Sequence, residues 1–380
     1  MSSEYKVNYT KILDIKPLEN SNALDIATVY GFQVVIRRNS YSVNSEIFYI
    51  PIDSILPKDL ENILFTEGSK ITLHKSRVRQ IRIRGFFSQG MIVSKEDISL
   101  LLKSRGLKNS IEFQLENDYA TLLEISKYEP PQPSYSMSSG SKPRKVDGDS
   151  RFRKYNGIDN LRWFPDLFKN QEVIAQCKIH GANARASKFP FLADTLFKKL
   201  LKFLRLAPKT VNLYGSNNVQ ISGKLMRNSY YQSDVWGQAM KKYDVFNKMK
   251  ENESLFFELY GDSIQKNYSY GCKSGEHKLI LFDVRILLPD GTQKWLDPEE
   301  CEAYAKERGF DFVPVLYRGI YNDQLAYELS KGPSVLCPEQ KVREGIVIKK
   351  RFGYDNEQNK TALKLLNEDY LADKNNSDFQ

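Results

Sequence analysis

The chain has 380 residues, 41% of them hydrophobic, which is enough for two domains with cores of their own. No apolar stretch approaches the length of a membrane span and the start, Met1-Ser2-Ser3-Glu4-Tyr5, lacks the apolar core of a signal peptide, so neither a membrane partner nor secretion is expected. A formal net charge of +9 suits a polyanion partner, nucleic acid before others, although charge alone discriminates weakly.

In chain order, Tyr5 to about Lys127 reads as mostly strand. Ala27-Thr28-Val29, Gln33-Val34-Val35-Ile36 and Glu46-Ile47-Phe48-Tyr49-Ile50 are short β-branched or aromatic runs, punctuated by Gly31, Asn39 and Pro51. Strands at this spacing predict a small barrel. Arg77, Arg79, Arg82 and Arg84 are expected to cluster on one strand, near Phe86 and Phe87. Strict alternation puts Arg77 and Arg79 on one face and Arg82 and Arg84 on the other, so a single patch needs a bulge near Gln80-Ile81; the plainer reading is a solvated strand. Lys95 to Arg105 predicts a short helix capped by Ser94 and stopped by Gly106. Composition then shifts at Pro130-Pro131-Gln132-Pro133 and the Ser/Gly-rich 134–141 stretch, a linker. The expected organisation is a first domain over 1–128, a linker over 129–150, a mixed α and β domain over 151–372 and a frayed tail over 373–380.

Within the second domain, 189–209 reads as an insertion. Leu192, Leu196, Leu200, Leu201 and Leu204 recur near helical spacing among Lys198, Lys199, Lys202 and Arg205. An amphipathic helix packed on the domain is the expectation, with a nucleic-acid- or lipid-facing element as the sharper alternative. The four cysteines, Cys177, Cys272, Cys301 and Cys337, form no C-x-x-C pair. With only three histidines beside them they argue against structural zinc and for a reducing intracellular location.

The most informative run is Cys177-Lys178-Ile179-His180-Gly181-Ala182-Asn183, which follows the apolar Val173-Ile174-Ala175. It puts an amine at a strand end, beside a glycine turn whose backbone can approach a nucleotide. An amine that attacks phosphorus must be neutral, which nearby positive charge or burial favours. Alone, this is a surface lysine beside a turn. Glu258 lies inside the apolar run 254–260 just before Gly261, where a carboxylate needs partners such as ribose hydroxyls or a metal-bound water. Phe282, in Leu281-Phe282-Asp283-Val284-Arg285, can stack on a purine or be ordinary core. Glu344 and Gly345 open the strand that ends in Lys349-Lys350; the carboxylate can hold Mg2+ through water and Lys349 can neutralise phosphate. Lys364, among Ala362, Leu363, Leu365 and Leu366, suits an α-phosphate contact, or else the wet face of a helix. Each plain reading stands alone; five such coincidences in this order are improbable.

That order resembles the covalent nucleotidyltransferase superfamily of ATP-dependent ligases and capping enzymes. By this resemblance Lys178 is the nucleotide-bearing lysine, Glu258 the ribose contact and a second metal-linked carboxylate, and Phe282 the purine-stacking aromatic. Glu344 is the metal-linked glutamate and Lys364 the second lysine of the last motif. Lys178-Ile179-His180-Gly181, with Asn183 following, is similar to RNA ligases of the phage T4 RNA ligase 2 type; DNA ligases and capping enzymes usually have aspartate where His180 stands. Gly31-Phe32-Gln33-Val34-Val35, the 49–57 segment and the 82–90 segment look like the OB-like domain that precedes the catalytic domain in the fifth RNA ligase family. The implied fold is an N-terminal all-β OB-like barrel followed by an α+β nucleotidyltransferase (ATP-grasp-like ligase) domain with antiparallel sheets.

The implied activity is ATP-dependent joining of RNA 3′-OH and 5′-phosphate ends, of a nicked duplex, by a monomer using Mg2+ or Mn2+. His180, Gly181, Asn183, Arg185 and Lys349 are then nucleotide contacts, and Arg77, Arg79, Arg82 and Arg84 hold RNA. Two departures stand out. The last motif normally has lysine where this chain has Ala362, so either Lys360 compensates or the motif holds phosphate with one cation fewer. In Gly215-Ser216-Asn217-Asn218, relatives often carry a basic residue after the serine. A DNA ligase, a capping guanylyltransferase, or an RNA-binding protein with a decayed site are the rivals.

Overall fold

Alternating burial sets the first sheet. In Phe32–Arg37 the side chains of Phe32, Val34 and Ile36 point inward while Gln33 and Arg37 stay exposed. The computed structural model describes residues 5–65, 73–107, 111–128, 149–193, 195–217, 219–222, 234–265, 268–354 and 360–372. The expected linker, apart from Asp149 and Ser150, and the expected tail lie outside the described residues.

Phe32–Arg37 pairs antiparallel with Leu24–Val29, and that strand with Asp14–Pro17. A second antiparallel sheet orders Asn8–Lys11, Glu46–Ile50 and Met91–Val93. Helix Lys95–Ser104 covers one core through Ile98, Leu101 and Leu102. As expected, Ser94 accepts from the Asp97 backbone N–H, and Gly106 follows the helix at a φ of +72°.

The C-terminal half contains two five-stranded sheets. One runs Asp159–Asn160, Ala362–Leu366, Gly345–Lys350, Glu172–Lys178, Val315–Ile320. The other runs Thr210–Gly215, Ala182–Pro190, Glu253–Gly261, His277–Leu287, Gln293–Trp295. Every pairing is antiparallel except the short edge pair of Asp159–Asn160 with Ala362–Leu366. Helices Val235–Lys242 and Pro298–Arg308 close the outer face of the second sheet, where Trp236, Met240 and Cys301 meet Leu255, Phe257 and Leu259. Helix Asp323–Ser330 closes the first through Ala326. All four cysteines are free thiols. Among the described residues no helix is long and apolar enough to cross a membrane.

The two halves are locked together beside the Lys364 strand. The turn between Leu24–Val29 and Phe32–Arg37 holds Tyr30 at a φ of +52° and leaves room for Gly31 alone, since a Cβ there would lie 2.9 Å from Arg162 Cα. The Gly31 N–H donates to Arg162 O at 2.7 Å, and the Arg162 guanidinium returns a bond to Gly31 O at 2.8 Å. Arg162 also donates to Glu368 Oε1 at 2.8 Å, and Trp163 sits between Tyr30 and Phe32. Arg162→Ala is therefore expected to lower stability by about 2 kcal/mol, the scale for hydrogen bonds to charged groups. Differential scanning calorimetry should show the melting transition falling; a transition unchanged would mean the contact is idle.

The four arginines do not form one basic strand, which corrects the expectation. Arg77 follows the 3-10 turn His74–Ser76, and its side chain, 1% exposed, pairs with Asp53 at 2.6 Å and lies over the Tyr128 ring. Arg79 is also outside a strand, with Nε buried. The strand proper is only Ile81–Ile83. Its Arg82 reaches across to Asp369 at 2.6 Å, and Arg84, at a φ of +49° in the turn, donates to Asn20 O. Only Arg82 and Arg84 are exposed. The 78–80 segment is irregular, yet it does not bring the four together, because Arg77 is buried against Asp53.

The 189–209 reading also changes. Phe189 and Pro190 belong to strand Ala182–Pro190, and the helix is Leu196–Phe203. Among the described side chains, most of its apolar face is uncovered: Leu196, Leu200, Phe203 and Leu204 are exposed and Leu201 is half-buried.

Candidate active site

The lysine strand and the Glu344 strand share a register that makes the site. Lys178 lies opposite Gly345, so Lys178 Nζ meets Glu344 Oε1 at 2.7 Å. Gly345, at a φ of +149°, is required here because a Cβ would stand 2.3 Å from Leu365 O. One strand further, Val347 lies opposite Lys364, which puts Lys364 on the same wall. Lys364 is in a strand, Ala362–Leu366, not on a helix. Burial, then the neighbouring charge of Lys178, lowers its pKa; Lys127, from the N-terminal half, adds to the effect.

The facing wall comes from the second sheet. Asn183 lies opposite Glu258. The register slips between Phe256 and Phe257: Phe256 opposes Asp283 and Phe257 opposes Leu281, so Phe282 is the extra residue of a bulge. A bulge re-aims a side chain, and Phe282 turns into the cavity. That cavity, about 220 Å³, is lined by Lys178, Asn183, Glu258, Phe282, Lys349 and Lys364, together with the 155–158 segment and Asn217. The sequence-derived order thus converges on one pocket.

Behind Phe282 lies a buried charge cluster. Lys349 Nζ donates to Asp283 Oδ1 at 2.8 Å and to Phe282 O at 2.8 Å. Asp283, 1% exposed, also accepts from Tyr155 OH at 2.6 Å and Lys360 Nζ at 2.7 Å. Burial pushes the Asp283 carboxyl up, but the two lysines outweigh it and hold its pKa below the ordinary 3.8. Burial drives Lys360 down to about 8 against the pull of Asp283. Lys360 also lies over the Tyr155 and Trp295 rings. Lys360 is held by Asp283 and, with Ala362, lines a neighbouring cavity that shares the 155–158 segment with the first.

His180 and Gly181 sit behind the pocket. The His180 backbone N–H donates to Tyr270 OH at 2.8 Å; its Nδ1 is 3.2 Å from Tyr370 OH and 3.9 Å from Glu344 Oε1. Gly181 has no room for a Cβ, which would come within 2.4 Å of Leu259 O and 2.8 Å of Glu258 Cγ. Both shape the positions of Lys178, Glu344 and Glu258. Arg185 departs from expectation: it is buried, donates to Ser216 O and Phe152 O, and stacks on Phe152. Burial lowers its pKa to about 10. It holds the cavity's shoulder and does not line it.

Sequence reading missed Tyr155, Asn217 and Lys127. Asn217 had a signal, since it occupies the position after Ser216 where a basic contact was expected; its Oδ1 accepts from the Tyr155 N–H at 3.1 Å. Lys127 had none, because only the docking of the two halves brings it near Lys364.

The donor set can be tested against a metal. Glu344 is 4% exposed and its Oε2 has no hydrogen-bond partner among the described residues. Among those residues no group of three or more His, Cys, Asp or Glu side chains could cage an ion. One orphaned carboxylate oxygen beside Lys178 fits a hydrated hard cation that keeps most of its waters.

Two small antiparallel sheets thus precede a two-sheet domain in which an amine lining the cavity pairs with a carboxylate beside it. The RNA ligase family model matches residues 171–366, more than half of the chain, and an OB-fold domain model matches residues 7–95. The chain belongs to the RNA ligase family. Structures of the Naegleria gruberi RNA ligase share the whole fold. The form with pyrophosphate has a TM-score of 0.68 at 20% identity, covering 97% of this chain and 98% of that one. A variant with ATP and manganese has a TM-score of 0.67 at 20% identity, covering 98% of each chain. Another variant, with AMP and manganese, has a TM-score of 0.69 at 19% identity, covering 97% and 98%. A search of curated proteins gives no match.

Proposed function

We propose that this RNA ligase uses ATP to join RNA 3′-OH and 5′-phosphate ends through a nucleotide carried on Lys178. The observation that carries the reading is the pairing of Lys178 with Glu344 at the opening of a cavity that also presents Phe282, Glu258, Lys349 and Lys364. Phe282 offers a face for the purine, and Glu258 with Asn183 offers acceptors for the ribose. Lys364 places positive charge where the phosphates would emerge, while Lys349 lines the same cavity with its ammonium bound to Asp283.

The chemistry is three transfers at phosphorus. Lys178 gives up a proton, and its Nζ attacks the α-phosphorus; an N–P bond forms and the bond to pyrophosphate breaks. A 5′-phosphate oxygen of the RNA then displaces Lys178, giving a 5′–5′ phosphoanhydride. The 3′-OH finally attacks the RNA phosphate, a phosphodiester forms, AMP leaves and a proton is released. Positioning and charge neutralisation carry most of such a reaction. Glu344, with Glu258 at its water shell, would hold a Mg2+ or Mn2+ ion, which supplies charge neutralisation on the phosphates. Lys364 stands close enough to Lys178 for the charge of Lys178 to lower the Lys364 pKa, beyond what burial alone does.

Arg82 and Arg84, exposed on the hairpin of the N-terminal domain, are the candidates for RNA contact among the four arginines. Ala362 is the one feature that favours a decayed binding protein; the pairing of Lys178 with Glu344 weighs against it. A nicked RNA duplex with a labelled 5′-phosphate at the nick tests the reading. Sealing that requires ATP and a divalent ion is expected. Sealing of a nicked DNA duplex but not of the RNA would sink the substrate assignment, as would RNA binding with no sealing at any strand configuration.

A further inference from the structure

We infer that the hairpin insertion between strands Ala182–Pro190 and Thr210–Gly215 is a surface anchor for an anionic lipid bilayer. The insertion leaves the sheet where Pro190 pairs with Thr210, and the Phe191 N–H closes its base on Lys209 O at 2.9 Å. Thr195 caps helix Leu196–Phe203 through the Lys198 N–H. Leu196, Leu200, Phe203 and Leu204 recur at helical spacing on one side, while Lys198, Lys199 and Lys202 occupy the other.

Burial decides how this pattern is read. An amphipathic helix on a globular domain turns its apolar side inward; here Leu196 is 85% exposed, Phe203 83% and Leu206 70%. Of the 18 large hydrophobic residues exposed among those described, six fall between Leu192 and Leu206. A concentration of that kind marks an interaction surface.

Charge selects the occupant. From Phe191 to Lys209 the sequence has five basic residues and a single acidic one, Asp194. A second copy of this chain would cover the leucines and leave the lysines on the other side without an answering charge. An RNA backbone would answer the cations and leave the leucines and Phe203 in water. A bilayer with anionic headgroups answers both, taking the apolar side below the headgroups and the lysines at the phosphates. The location also fits. Asn183 lines the nucleotide cavity and Pro190 lies seven residues along the same strand, about 23 Å away at the usual rise. The helix can lie on a membrane and leave the cavity open. It lies on the surface and does not span.

The test is sedimentation of the full chain with vesicles of phosphatidylcholine alone or mixed with phosphatidylglycerol. Binding to the mixed vesicles only is expected. The double variant Leu196→Glu, Phe203→Glu should abolish it. The triple variant Lys198→Gln, Lys199→Gln, Lys202→Gln should weaken it roughly a hundredfold, at about fivefold for each basic residue near an anionic surface. The double variant alters exposed side chains; the triple variant alters the exposed Lys199 and Lys202 and the half-buried Lys198, whose charge acts on Asp149, so covalent labelling by nucleotide is the control that reports an intact fold in both. The inference is overturned if mixed vesicles do not sediment the chain, if neutral vesicles do so equally, or if the double variant still binds. RNA affinity that falls in the triple variant, without vesicle binding by the wild type, would assign the helix to RNA instead.

Discussion

Lys178→Ala and Lys178→Arg are both expected to abolish covalent nucleotide transfer, by a factor on the order of 10^4 or more, the scale for deleting a nucleophile. The two variants separate chemistry from folding. Alanine leaves the nearly buried Glu344 without its partner at 2.7 Å, so some loss of stability accompanies the loss of activity. Arginine keeps a cation opposite Glu344, and its guanidinium stays protonated and cannot attack phosphorus. If Lys178 served only to pair with Glu344, the arginine variant would retain labelling by α-labelled ATP; retention would contradict the nucleophile assignment.

Asp283→Ala should be the most destabilising single change outside the pocket, at about 3–5 kcal/mol, because it strands two buried lysines without a counter-charge. Lys349 and Lys360 both end on this carboxylate, and Lys349 is as buried as Asp283 itself. Denaturant unfolding measures the cost; a loss below about 1 kcal/mol, the scale of an exposed pair, would show that the cluster is solvated. The pH dependence follows by sign. Asp283 has a folded-state pKa below the ordinary 3.8, so its stabilisation is complete above that value and is lost as pH falls through the lower one. Lys360 has a folded-state pKa lowered from 10.5 to about 8, so its charged form costs stability at neutral pH, and that cost is relieved as pH rises between those two values. The wild type should weaken in acid below about pH 4 more steeply than Asp283→Ala does.

Much of the pocket was legible because each residue sits at an end or a kink of an apolar strand. Lys178, Glu258, Phe282, Glu344, Lys349 and Lys364 each interrupt or close such a run; strand pairing carries all but Glu344 to one cavity and sets Glu344 against Lys178. The order of the motifs also indicated the domain order. What stayed hidden depended on contacts between distant segments. The partner of Lys360 is Asp283, 77 residues away, and no local pattern reveals it. Arg185 is two residues along the strand from Asn183 and shares its face, yet at that point Phe152 and Ser216 take it up, which the sequence does not reveal. Arg77 looked like part of a basic stripe, but the strand begins only at Ile81, and Arg77, ahead of it, is buried against Asp53. In the insertion, periodicity located the apolar side of the helix correctly; whether anything covers that side is a tertiary fact, and there the expectation of packing failed.

The most direct test of the account is incubation with α-labelled ATP and a divalent ion, followed by denaturing electrophoresis and peptide mapping of the labelled protein. The account predicts a protein-bound AMP on the peptide that contains Lys178, chased into RNA by a nicked duplex with a 5′-phosphate. Label from GTP alone, label on another residue, or no label with either nucleotide would contradict it.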